Sequence, residues 1–134
     1  MPLTIMREAR QEMNGLLWIA QILLAAVFVF TGVSKLLAFD KFVKVLEART
    51  KGQPAGIPRG TAAIFGLLEI AGAVGVVMPV DIWPPYILLR AAAAGLALLM
   101  VIAGIYHLSR QESAAPSVVL FLLSIFVIVG RWPR

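Results

Sequence analysis

The 134-residue sequence contains no cysteine and only one histidine, His107. Without thiols the chain cannot form disulfides, thiolate metal sites or a dithiol redox centre. One histidine is too few for the usual zinc cluster, and the glycine-rich nucleotide-binding patterns, HExxH and GxSxG are all absent. We therefore expect no metal site and no catalytic residues, and an accessory or non-catalytic protein in preference to a stand-alone enzyme.

Charged residues are scarce as well, since they make up 14% of the chain, whereas 60% of it is hydrophobic and the mean hydropathy is +0.91. These values lie outside the usual composition of soluble domains and indicate an integral, multi-pass membrane protein. Crossing a bilayer takes about 20 apolar residues per helix, and apolar runs near this length cover residues 15–37, 60–80, 85–106 and 115–130. We predict one all-α domain, residues 1–134, built as an up-and-down bundle of four transmembrane helices.

The segment between the first two runs has the pattern of a short helix. Phe39, Phe42, Val43 and Leu46 repeat at i, i+3, i+4 and i+7 with charged residues between them, which is the spacing of an amphipathic helix. We predict an interfacial helix over residues 39–50, ended by the glycines and prolines that follow it. Two interpretations stay open: the helix covers a site, or it covers the surface with no site beneath it.

Turn residues and aromatic residues both support the alternating topology. Pro79, Asp81, Pro84 and Pro85 predict a short, stiff turn that makes the second and third spans neighbours. Trp and Tyr side chains prefer the headgroup level of a bilayer. Alternating spans bring four such residues to one membrane face: Trp18, Trp83, Tyr86 and Trp132.

Basic residues are divided almost evenly between the two membrane faces, so the orientation of the termini stays open. We interpret Arg90 and Arg131 as anchors at the aromatic face in preference to parts of a site. The net charge of +5 suits anionic lipid headgroups and requires no nucleic-acid partner.

Glu69 lies in the middle of the otherwise uncharged second run. A carboxyl group at the centre of a spanning helix costs about 2.5 to 3.5 kcal/mol, so this side chain is expected to face other helices and not lipid. Lys35 and His107 belong to the same leaflet. A direct contact between Lys35 and Glu69 would be stretched, and a water or the hydroxyl of Thr31 or Ser34 could complete the connection. The plainer interpretations are a lysine that reaches the headgroups, a boundary histidine and a structural hydrogen bond at Glu69.

Small residues accompany each of these ionisable groups at helical spacing. Gly66, Gly72 and Ala73 flank Glu69, while Gly32 precedes Lys35 and Gly104 precedes His107. Small residues let neighbouring membrane helices approach closely. We therefore predict that these five positions are helix-packing sites.

Two blocks of this sequence resemble the DoxX family of four-helix membrane proteins. They are Phe30-Thr31-Gly32-Val33-Ser34-Lys35-Leu36 and Gly66-Leu67-Leu68-Glu69-Ile70-Ala71-Gly72, followed by a third span that ends in His107. The resemblance covers nearly the whole chain and implies the four-helix fold. It also implies a connection with quinone-linked oxidoreductase subunits and with a related protein that assists receptor assembly. We expect the bacterial cytoplasmic membrane as the location.

Three functions from different classes follow. The first is a quinone- or redox-associated accessory subunit, whose polar site binds a lipid-soluble headgroup or relays protons. The second is a non-enzymatic assembly or scaffolding protein, and the third is a carrier of a small amphipathic molecule. An elongated apolar pocket ending at Glu69 or Lys35 would favour a lipid-soluble ligand, whereas a tight core with Glu69 in a salt bridge and no cavity would favour scaffolding. Quinone or lipid is the expected ligand, and a second copy or another membrane protein is the expected partner.

Overall fold

The computed structural model describes residues 2–78 and 87–132, which form five α-helices and, within these ranges, no β-strand. The helices are α1 (Leu3–Leu37), α2 (Phe39–Arg49), α3 (Arg59–Val76), α4 (Ile87–Ser109) and α5 (Ala115–Gly130). Three of them, α1, α3 and α4, are long and apolar enough to cross a membrane, and α5 is a shorter apolar helix. The all-α prediction is confirmed, and the short helix after the first span is α2.

The four apolar helices form a closed ring, in which α1 contacts α3 and α5, and α4 contacts the same two helices. Neighbours run antiparallel. Gly32 of α1 lies against Gly66 of α3, and eleven residues earlier on α1 the Gln21 side chain donates to the carbonyl of Val76, at the end of α3. The ring is therefore the predicted up-and-down bundle. The predicted turn residues Pro79, Asp81, Pro84 and Pro85, with Trp83 and Tyr86, lie outside the described residues.

Helix α1 begins at Leu3, well before the predicted residue 15. Its first twelve residues are mainly good helix formers with no proline or glycine, so the helix extends through them although they are polar. The 35 residues correspond to about 52 Å of helix at 1.5 Å per residue, compared with about 30 Å of hydrocarbon in a bilayer. The exposed residues 3–13 therefore continue beyond the bundle.

The core of the bundle lies between the four apolar helices. Leu24, Phe28, Val76, Leu96 and Val127 are among its fully buried side chains, and they come from all four helices. Dispersion contacts between such side chains hold membrane helices together, because lipid tails leave little hydrophobic driving force for their association.

Two of the predicted packing glycines bring α1 and α3 into backbone contact. A Cβ atom built on Gly32 would lie 2.7 Å from the carbonyl oxygen of Gly66, and one built on Gly66 would lie 2.7 Å from the carbonyl oxygen of Gly32. Any larger residue would therefore push the two helices apart. This reciprocal contact sets the distance between the first and second spans.

The other packing predictions have different outcomes. Gly72 lies against Leu96 of α4, where a Cβ would come within 2.5 Å of a leucine methyl, and Ala73 is completely buried. At Gly104 the nearest atom to a built Cβ is 3.8 Å away, which is ordinary van der Waals contact, so no close approach requires glycine there. Two close contacts were not predicted: Gly75 against Ala92, and Gly130 against Leu17.

A second polar cluster lies at the opposite end of the bundle from Lys35. Arg131 is buried there, with its Nε donating to Gln21 Oε1 at 2.9 Å and its Nη1 donating to Asn14 Oδ1 at 2.7 Å. Its guanidinium also lies over the ring of Trp18, and that of Arg90 lies over Trp132. Arg131 thus joins α1 to the end of α5. It is buried and bonded to the buried Gln21, whereas the sequence had suggested an anchor at the membrane face.

The contact between Gly32 and Gly66 predicts that Gly32→Ala destabilises the bundle by about 1 to 3 kcal/mol, the usual cost of overpacking. Gly95→Ala is the matched control, because nothing lies within 4 Å of a Cβ built there. The control is expected to be neutral or slightly stabilising, since alanine is the better helix former. Reversible unfolding in mixed detergent micelles measures both variants, and equal stability of the two would contradict the packing assignment.

Candidate functional site

Glu69 and Lys35 form a direct ion pair inside the bundle. Lys35 Nζ lies 2.6 Å from Glu69 Oε1, and the Thr31 hydroxyl donates to Oε2 of the same carboxylate at 2.8 Å. Only 4% of the Glu69 side chain and 16% of the Lys35 side chain is exposed. Both carboxylate oxygens therefore have a donor from α1, which satisfies the charge that the apolar second span would otherwise leave unpaired.

The close approach of α1 and α3 makes this pair possible. Gly32 stands three residues before Lys35, and Gly66 stands three residues before Glu69, so the backbone contact lies one turn from both side chains. The flexible lysine stem then spans the remaining distance between the two helices. Of the alternatives that the sequence left open, the structure has the direct contact between Lys35 and Glu69, and it is not stretched.

Of the two hydroxyl residues predicted for the site, only Thr31 reaches the carboxylate. Ser34 is bonded back to its own helix, because its hydroxyl donates to the carbonyl of Phe30 at 2.8 Å. The difference follows from helix geometry. Thr31 precedes Lys35 by four positions and lies on the same face of α1, whereas the adjacent Ser34 lies on another face. The ammonium group of Lys35 also lies 5.2 Å from the centre of the Phe42 ring of α2.

His107 contacts the carboxylate of Glu112, a residue that the sequence analysis did not single out. Its Nδ1 lies 2.8 Å from Glu112 Oε2, in the loop between α4 and α5, and Arg110 Nε lies 3.4 Å from the same oxygen. The side chains of Glu112 and Arg110 are 4% and 6% exposed. Sequence reasoning missed both of them, because charged residues in a short loop after a span are ordinarily exposed to water.

Arg110 binds the chain segment that follows α2. Its guanidinium donates to Thr50 Oγ1 at 3.0 Å and to the carbonyl oxygens of Gln53 at 3.1 Å, Leu46 at 3.4 Å and Pro54. One turn earlier on α4, the hydroxyl of Tyr106 donates to the carbonyl of Ala55. The end of α4 is therefore hydrogen-bonded to a segment more than fifty residues away in sequence.

A cavity of about 310 Å³ adjoins the ion pair. Helices α1, α2, α3 and α4 and the loop before α3 all contribute to its wall, and most of its lining side chains are apolar. Its polar lining residues are Lys35, Thr61, Glu69, Tyr106 and His107. Helix α2 covers this cavity, since its Phe42 and Leu46 form part of the wall.

This arrangement is suited to binding a small molecule with an apolar body and a polar head. Small-molecule sites typically have a mostly apolar lining, a few convergent polar groups and volumes upward of about 300 Å³. Lys35 supplies an ammonium donor held in place by Glu69, and His107 supplies an imidazole that can donate or accept. Within residues 2–78 and 87–132, no three metal-ligating side chains come together.

The different contacts of Thr31 and Ser34 predict that removing their hydroxyl groups has different effects on stability. Thr31→Val removes the hydrogen bond to Glu69 and is expected to destabilise the bundle by about 1 kcal/mol, a typical value for an interhelical hydrogen bond in a membrane protein. Ser34→Ala removes a hydroxyl bonded only within its own helix, and its effect is expected to be smaller. Unfolding in mixed micelles compares them, and a larger loss for Ser34→Ala would contradict the geometry.

Comparison with known proteins places the chain in a family. The DoxX-like family matches residues 19–129, a range that contains α2, α3 and α4 completely and most of α1 and α5. No curated protein and no solved structure matches the sequence. Because the matched range covers most of the chain and includes Lys35, Glu69 and His107, this small multi-pass membrane protein belongs to the DoxX-like family.

Proposed function

We propose that the protein is a quinone- or redox-associated accessory subunit that binds a lipid-soluble ligand in the cavity beside Lys35 and Glu69. The observation that carries this proposal is an apolar cavity whose wall includes a buried ion pair. Helix packing alone would require the pair but not the space next to it. A scaffolding protein needs only packed faces, so that alternative leaves the cavity without a role.

The chemistry of the wall favours a ligand whose head accepts hydrogen bonds. The ammonium group of Lys35 has three N–H donors, and Glu69 Oε1 engages it at 2.6 Å, which leaves donors for a carbonyl oxygen such as that of a quinone. Three aromatic residues of the wall, Phe42, Phe65 and Tyr106, offer flat apolar surfaces to a planar ring. Hydrogen bonds from charged donors are worth about 1.5 to 3 kcal/mol.

The titratable residues of the wall would also serve proton exchange with a bound head. Lys35 and Glu69 belong to α1 and α3, while His107 belongs to the end of α4 and contacts Glu112 in the following loop. Electrons for a reducible ligand would come from a partner membrane protein, because the chain has no cysteine for redox chemistry of its own.

The first test is ligand capture and binding. Protein purified in mild detergent is extracted with organic solvent, and mass spectrometry identifies co-purifying quinones or lipids. Binding of a short-chain quinone analogue is then measured for Lys35→Met and for Lys44→Met, an exposed lysine of α2 outside the cavity. Because Lys35→Met removes a charged donor, we expect its affinity for the analogue to fall about tenfold or more, and that of Lys44→Met to be unchanged. Equal affinity of the two variants would exclude the proposed site.

Two substitutions at Glu69 separate binding from packing. Glu69→Gln keeps the shape of the side chain but removes the negative charge that positions Lys35, so we expect insertion to be intact and ligand binding to be lost. Glu69→Leu also removes the acceptor of the Thr31 hydroxyl and leaves Lys35 unpaired, which should cost about 3 kcal/mol of stability. Binding and unfolding are measured in parallel, and full binding together with full stability in both variants would refute the assignment.

A further inference from the structure

One side of the cavity is formed by a segment that does not belong to the four-helix ring. This segment, here called the strap, comprises α2 and the loop after it, residues 39–58. Phe42, Leu46, Gly56, Ile57 and Pro58 of the strap line the cavity. Leu46 is the residue that α2 buries, so apolar packing of this helix against the bundle is limited.

The strap is connected to the ring at two residues that lie outside the helices. Between α1 and α2, Ala38 departs from helical geometry, with φ −131° and ψ 43°, and Pro58 before α3 is extended. Rotation at such positions leaves the hydrogen bonds inside the spanning helices intact, as in hinge motions of other proteins. The outer side of the strap carries exposed basic residues, Lys41, Lys44 and Arg49, which suit the headgroup level.

Arg110 fastens the strap to the end of α4. Four oxygen atoms of the strap accept hydrogen bonds from its guanidinium, and they lie within residues 46–54. Three of these are backbone carbonyls at or beyond the last turn of α2, where a helix has no internal donors for them. The planar guanidinium can serve several acceptors at once, and Glu112 holds it from the other side.

We propose that the strap is the gate of the cavity and that Arg110 is its latch. When these hydrogen bonds and the one from Tyr106 to Ala55 break, the strap rotates away at Ala38 and Pro58 and uncovers Phe65 and Glu69 without disturbing the ring. Only the identity of the ligand that passes the gate rests on the proposed function. Glu112 Oε2 contacts both His107 Nδ1 and Arg110 Nε, so a residue of the cavity wall and the latch share one carboxylate.

The absence of cysteine makes the gate directly measurable, since one introduced thiol is the only reporter in the chain. Ala62 lines the cavity and is 1% exposed, and Ala73 on the same helix is completely buried in the core. The rate of modification by a small water-soluble thiol reagent is compared for Ala62→Cys and Ala73→Cys, each alone and combined with Arg110→Gln. No ligand is needed for this experiment.

We expect Arg110→Gln to accelerate modification of Ala62→Cys about tenfold or more and to leave Ala73→Cys slow. Arg49→Gln is the matched control, because Arg49 is an exposed arginine of the strap itself, and it should change neither rate. No acceleration at Ala62→Cys, or equal acceleration at both positions, would overturn the gate, since the second result indicates general loosening. An accelerated Ala62→Cys in a protein that binds no quinone analogue would contradict the proposed function and support the gate.

Discussion

The ion pair between Lys35 and Glu69 is the constraint on which the rest of this structure depends. A carboxylate inside a membrane bundle is tolerated only with a donor for each oxygen, and here Lys35 and Thr31 supply both. These donors reach Glu69 because α1 and α3 lie at a distance that only glycine permits at positions 32 and 66. The polar site and the backbone contact between the first two spans are therefore parts of one arrangement.

The two ends of the bundle use buried charge differently. At one end Arg131, Gln21 and Asn14 form hydrogen bonds that join α1 to the end of α5. At the other end Lys35 and Glu69 adjoin a cavity, and its cover is held by Arg110 through hydrogen bonds to backbone carbonyls. Hydrogen bonds to backbone carbonyls can hold a segment that buries little apolar surface. We therefore regard the Arg131 end as packed and the Arg110 end as the one that can open.

Sequence reasoning succeeded where the residues around a position left it only one kind of environment. Glu69 in an apolar run had to face other helices, and Gly32 and Gly66 at its level indicated a close contact. It did worse where polar residues lie near helix ends: Arg131 was interpreted as an anchor at the membrane face, and Arg110 and Glu112 were not singled out, but all three side chains are buried. A charged residue near the end of a helix can bind either water or protein groups. The spacing of apolar residues in the sequence does not indicate which of the two it binds.

The sequence by itself determined that the chain is an all-α membrane protein of the DoxX-like type, because hydropathy and the two sequence blocks around Lys35 and Glu69 can be read without knowing how the helices pack. It also determined that an acid must be sheltered in the second span. Only the tertiary structure decided that His107 pairs with Glu112, that Ser34 stays on its own helix, and that space remains beneath α2. Those outcomes depend on distances between helices and on side-chain direction, which arise only when the whole ring has closed.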